Sequence, residues 1–198
     1  MNITDCLLDI HNNTPLGRAT VADCVRAQGK KHLWDERSSP FCDTIVIHYM
    51  SAVNVTPARP FSLKRMLKIF CDYGVSSHYL IQRNGVILRL VPEKKKAWHA
   101  GGSIMPGRDG REAVNNFSIG IELVATPRSG FTKRQYAACA SLCRNIEKRR
   151  GKKFIYVGHE DIAGKKAVWL GLRKDIKRDP GSLFNWNRFR TMLRFPAA

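Results

Sequence analysis

The run Asp43-Thr44-Ile45-Val46-Ile47-His48-Tyr49 constrains this chain more than any other stretch. Its successive β-branched residues fit a buried strand, and such a strand would deliver His48 to the rim of a sheet. A buried strand needs cover. Leu63, Met66, Leu67, Ile69 and Phe70 follow the 3.6-residue period, after a Ser62 that can cap a helix and before a Gly74 that ends it. Runs 77–82 and 86–91 flank Asn84-Gly85, a strong hairpin signal, and this hairpin is expected in the middle of the sheet. Residues 117–124 read as another strand, and 132–149 as a helix with Thr132 as cap and Gln135 as its capping-box partner. A short strand at 154–157 then delivers His159. Residues 183–193 close the chain as an amphipathic helix that buries Phe184, Trp186, Phe189 and Leu193. Strands separated by helices predict an α/β domain with a central sheet covered by helices.

The 198 residues suit one domain with a core that needs no disulfides. Residues 1–40 show no sustained period and end in the loop signal Arg37-Ser38-Ser39-Pro40, so they read as an extension packed on a domain of 41–198. The six cysteines make no CxxC pair, which fits buried free thiols better than a metal site. Lys and Arg number 34 against 16 Asp and Glu, a formal charge of +18 that favours anionic partners such as an acidic cell-wall polymer or a membrane surface. A specific nucleic-acid partner is not expected, because neither an aromatic single-strand platform nor zinc-finger spacing occurs. No run of about 18 apolar residues could form a transmembrane segment. No secretory signal is visible, which predicts a cytoplasmic protein, or a periplasmic one if a leader has been removed.

Candidate chemistry gathers in Gly158-His159-Glu160-Asp161-Ile162-Ala163 and Lys177-Arg178-Asp179-Pro180-Gly181. His159 and Asp179 offer an imidazole and a carboxylate, both zinc donors, and a catalytic zinc usually takes three protein ligands with the fourth position left to water. His48 is the best candidate for the third. The motif H-E-x-x-H fails, because Ala163 stands where its second histidine should be. Serine chemistry of the penicillin-sensitive kind is not expected either, since S-x-x-K does not occur. Glu122, a lone acid in the apolar run 119–124, has reason to point into a cleft; the plainer alternative is an acid paired with a buried arginine. The long glycine-bearing connection from His99 through Gly110 reads as functional, as loops of that length usually are.

Six ordered blocks carry a resemblance: Ile47-His48; Ser77-His78-Tyr79-Leu80-Ile81 with Asn84-Gly85; Ala97-Trp98-His99-Ala100-Gly101; Ser118-Ile119-Gly120-Ile121-Glu122; Gly158-His159; and Asp179-Pro180-Gly181. Together they resemble the zinc-dependent N-acetylmuramoyl-L-alanine amidases of the second amidase family, which includes cell-wall recycling amidases, amidase-type phage lysozymes and peptidoglycan recognition proteins. The resemblance implies a single α/β domain with a central mixed β-sheet flanked by helices, and Zn2+ held by His48, His159 and Asp179. It implies hydrolysis of the amide between N-acetylmuramic acid and L-alanine in peptidoglycan or muropeptides. Glu122 would act as general base and then acid, and Lys177 as oxyanion stabiliser. His99, Trp98 and Ser77 would bind substrate, Ser77 standing where some relatives carry a catalytic tyrosine. One departure is an insertion at 164–176, which lengthens the gap between His159 and Asp179. It leaves Asp161 and Asp175 as rivals to Asp179, with Asp161 expected to brace its loop. Two other functions stay open: a non-catalytic muropeptide-binding module, and a zinc peptidase cutting within the stem peptide.

Overall fold

The computed structural model describes residues 2–195. Its main sheet has the order β1 (Ile3–Asp5), β5 (Ile87–Arg89), β4 (Tyr79–Ile81), β7 (Ser118–Val124), β3 (Thr44–Met50), β8 (Ile155–Gly158). β4, β7, β3 and β8 run parallel; β5 is antiparallel to β4, and β1 is parallel to β5. The sheet is therefore mixed, and helices cover it, as expected for an α/β domain.

Alternation along each strand sorts the two faces. Ile45, Ile47, Ile119, Ile121, Leu123 and Tyr79 turn to one face, where α3 (Lys133–Arg150) and α6 (Trp186–Arg194) cover them with Cys139, Cys143, Ile146 and Phe189. The opposite face carries two separate clusters. One joins Leu80, Leu88 and Val124 to α1 (Val21–Ala27) and α2 (Leu63–Tyr73). The other joins Val46 and Val157 to Ala100, Met105, Val114 and Phe117 of the connection after Trp98. His48 and Glu122 lie on this second face, directly opposed on β3 and β7.

Several expectations are met and several corrected. Thr132 and Gln135 form the capping box, each side chain accepting the other's backbone N–H at 3.1 and 3.0 Å. Ser62 occupies the cap position of α2, but its hydroxyl makes no capping bond. Arg65 fills the place where an acid would complete a box. Gly74 does end that helix, in the left-handed conformation. The final helix starts at Trp186, not 183, because the Asn185 side chain accepts the Arg188 N–H at 2.8 Å; Leu183 before it is exposed. The hairpin turns through three residues, with Gly85 at φ +87° and its N–H bonded to Gln82 O.

Glu93-Lys94-Lys95-Lys96, read as a charged loop, runs into β6 (Lys95–Ala97), which pairs with β2 (Trp34–Glu36). Cross-strand ion pairs Lys95–Glu36 and Lys96–Asp35 hold it there. The first forty residues thus supply β2 and, through β1, the sheet edge beside β5. Arg37 ties this region to the body by donating to the carbonyls of Asn115, Asn116 and Ser118 at 3.0, 2.9 and 2.6 Å. All six cysteines are free.

Candidate metal centre

His48, His159 and Asp179 converge at the carboxyl ends of the parallel strands, the end where open α/β sheets bind ligands. His48 is on β3. His159 follows β8 directly and opens the short helix α4 (His159–Ile162). Asp179 is brought in by the return of the chain, where the Glu160 N–H donates to Asp179 O at 2.8 Å and Pro180 packs on Gly158. His48 Nδ1 lies 3.0 Å and His159 Nδ1 3.1 Å from the same Asp179 Oδ2. Burial acts to raise the Asp179 carboxyl, but hydrogen bonds with His159 and His48 outweigh it and hold the group well below the usual carboxylate range.

The donor set fits a metal ion. A tetrahedral ion with bonds of about 2.0–2.1 Å sets neighbouring donors roughly 3.3 Å apart, close to these spacings. The ring nitrogens facing outward make the stronger case. His159 Nε2 faces Ala100 O at 3.4 Å, an acceptor only, so one imidazole stands between two acceptors. A neutral ring has a single proton for them. With that proton on Nε2, the Nδ1 lone pair faces a carboxylate oxygen, and a cation between them removes the conflict.

His48 is tied outward in the same way. Its Nε2 is 3.1 Å from His99 Nδ1, and His99 Nε2 is 3.2 Å from Ser118 Oγ. Burial and the neighbouring His159 push His48 down to about 4, so it is neutral and free to ligate at neutral pH. His99 is also held well below its ordinary value, by burial and then by His48. Its ring fills the space beside Gly120, where a Cβ would come within 2.5 Å of His99 Cγ. Behind it, His78 Nδ1 accepts the Gly120 N–H at 3.0 Å, which puts its proton on Nε2, 3.1 Å from Lys95 O.

His48, His159, Asp179 and His99 line a cavity of about 420 Å³ with Glu122, Lys177, Trp98, Ser76, Asn115 and Arg173 on its walls. Glu122 pairs with no arginine. Its Oε2 is buried and accepts no hydrogen bond, and burial, followed by the charge of Asp179, raises its pKa well above the usual carboxylate value. Lys177 acts in the opposite direction on Glu122. Arg178 lines a different cavity, with Tyr49 and Glu160.

Ser77 is fully buried and its hydroxyl has no partner, whereas the adjacent Ser76 reaches the cavity wall. Asp161 Oδ2 accepts the Gly158 N–H at 2.7 Å, bracing the turn before His159, and Asp175 lies outside the donor cluster. Sequence reasoning missed Asn115, whose Oδ1 accepts the N–H groups of His99 and Ala100 at 3.2 and 2.8 Å. It also missed Ser118, although Ser118, Gly120 and Glu122 share one strand face by simple alternation.

Comparison with known proteins places the fold and the family. The 1,6-anhydro-N-acetylmuramyl-L-alanine amidase AmpD of Salmonella typhimurium (strain SL1344) is 39% identical over 119 residues, 60% of this chain and 57% of that protein. The chain therefore spans less than two thirds of that curated relative's length. A crystal structure of a Se-Met AmpD derivative superposes with a TM-score of 0.65 at 32% identity, covering 81% of this chain and 89% of that one. The E. coli amidase AmiD, in complex with anhydro-N-acetylmuramic acid-L-Ala-D-γ-Glu-L-Lys, superposes with a TM-score of 0.53 at 29% identity, covering 79% and 60%. Residues 37–182 match the N-acetylmuramoyl-L-alanine amidase family, and the chain belongs to it.

Proposed function

We propose that this chain is a zinc-dependent N-acetylmuramoyl-L-alanine amidase, with His48, His159 and Asp179 as the metal ligands. The substrate class is the muropeptide, an N-acetylmuramic acid carrying an L-Ala-D-γ-Glu stem. The observation that carries this reading is the three-donor cluster beside a buried, unpartnered carboxyl at Glu122. A bound zinc ion supplies Lewis-acid polarisation of the amide carbonyl and acidifies water toward a pKa of about 7.

The remaining work falls to side chains. Glu122 takes the proton of the attacking water and returns it to the leaving amine of L-alanine. Its raised pKa suits the second role, and the positive charge of Lys177 pulls it down for the first. Lys177 stabilises the oxyanion as the carbonyl becomes tetrahedral. His99 orients His48 from behind, and Asn115 fixes the backbone that carries His99. Trp98 forms part of the cavity wall, held by its indole N–H to Asp35 at 2.9 Å, and gives the substrate an apolar surface. Ser76, whose hydroxyl accepts the Trp98 backbone N–H at 2.9 Å, stands on the wall, and the buried Ser77 does not touch substrate.

Metal analysis tests the ligand set. The purified protein is expected to hold about one zinc per chain, and chelation to abolish hydrolysis until zinc is restored. Asp179→Ala should lose the metal, while Asp161→Ala and Asp175→Ala should keep it. Zinc retained by Asp179→Ala would move the site elsewhere.

A further inference from the structure

The segment between Ala163 and Lys177 leaves and rejoins the body at one point, where the Lys177 N–H donates to Ala163 O at 2.9 Å. Within it, α5 (Lys165–Trp169) is followed by a turn that lies directly on the glycine connection of the cleft. A Cβ on Gly102 would fall 1.9 Å from Leu172 O, so the two backbones touch and only glycine permits the approach. This contact sets the next residue, Arg173, on the wall of the cavity that holds His48, His159 and Asp179.

Two backbone acceptors hold Arg173 there. Its Nε donates to Asp175 O, and its Nη1 donates to Gly102 O at 3.3 Å. Nη2 and the second hydrogen of Nη1 have no protein acceptor among the described residues, and no carboxylate pairs with the guanidinium. Neither carboxylate that lines the cavity pairs with it: Asp179 faces the imidazoles, and Glu122 lies near Asp179 and Lys177. The other cation on this wall, Lys177, is a point charge. Arg173 presents a planar fork suited to two carboxylate oxygens.

We propose that Arg173 binds a free carboxylate of the substrate's peptide stem, which makes the segment 164–176 a specificity element of the cleft. The inference rests on the amidase reading of the same cavity. An L-Ala-D-γ-Glu-L-Lys stem offers two such groups, the α-carboxylate that a γ-linked glutamate leaves free and the carboxylate at the chain end. Both have the chemistry Arg173 can receive, and amidating them one at a time distinguishes them.

The test is calorimetric binding of the released stem peptide, which is not a substrate, to the zinc-loaded protein. Three forms are compared: both carboxylates free, the glutamate α-carboxylate as primary amide, and the terminal carboxylate as primary amide. Wild-type protein is expected to bind one monoamide roughly ten- to a hundredfold more weakly than the diacid, the range for a lost hydrogen bond to a charged group. Arg173→Gln should weaken the diacid by a similar factor and bind that monoamide and the diacid alike. Equal affinity of the wild type for all three peptides would overturn the proposal, with no variant needed. So would an Arg173→Gln protein that weakens all three peptides equally. Hydrolysis of the muropeptide is scored separately: a wild type that cleaves it without discriminating the peptides refutes the role of Arg173 alone. A wild type that discriminates without cleaving refutes the amidase reading alone.

Discussion

Glu122 carries its carboxyl into a cavity where nothing donates to Oε2, while burial and the charge of Asp179 keep its proton affinity high. A residue held this way has no structural partner to lose. Replacing it by glutamine should therefore leave the fold, the metal content and substrate affinity intact and remove only proton transfer. Turnover of Glu122→Gln is expected to fall by at least about 10², within the usual range for general acid–base catalysis. Turnover above about a tenth of wild type, with metal bound, would assign the base to another group.

At the scale of elements, β7 and the His99 connection meet at Gly120, and this contact holds His99 against His48 from behind. The His99 ring is fixed at both nitrogens, so it cannot yield to a new side chain. Gly120→Ala should displace it, at a cost of about 1–3 kcal/mol in stability for overpacking. Metal affinity should also fall, by roughly ten- to a hundredfold, because His48 Nε2 loses its outer partner. Unchanged zinc affinity in Gly120→Ala, measured by competition with a chelator, would separate His99 from the metal site. Much of this region was legible in the sequence: the strand carrying His48, the strand carrying Glu122, and the Thr132 capping box are local patterns that need no distant partner. β1, β2 and β6 were not legible. Each has three residues, and each is stabilised by a strand remote in sequence, as Trp34 is by Ala97. Asn115 and Arg173 escaped for a related reason. Asn115 lies in a single 3₁₀ turn (Val114–Phe117) and Arg173 in irregular backbone, and neither offers a periodicity that indicates which way a side chain faces.

For the whole molecule, the site imposes a pH dependence on stability. In the metal-free protein, burial lowers His48 to about 4 and His78 to about 3, and holds His99 well below 6.5. These three imidazoles take up protons on unfolding as pH falls below 6.5. Glu122 and Glu160, both raised by burial, release protons on unfolding above pH 4.5 and oppose the trend. Below about pH 6, where unfolded imidazoles are mostly protonated, three uptakes outweigh two releases, so stability present near about pH 6 is lost as pH falls toward 4.5. The slope is about 1.4 kcal/mol per pH unit for each net proton. The denaturation midpoint of chelated protein should thus be lower near about pH 5 than near about pH 6, and an equal or higher midpoint would contradict these assignments. No helix among the described residues is long and apolar enough to cross a membrane. The proposed activity cuts one bond, and mass spectrometry of a muropeptide incubated with zinc-loaded protein reads that bond directly. The expected products are the intact stem peptide with a free L-alanine amine and the muramic acid sugar with a free lactyl carboxylate. Fragments cut within the stem peptide, or intact muropeptide bound but never hydrolysed, would contradict the proposed activity.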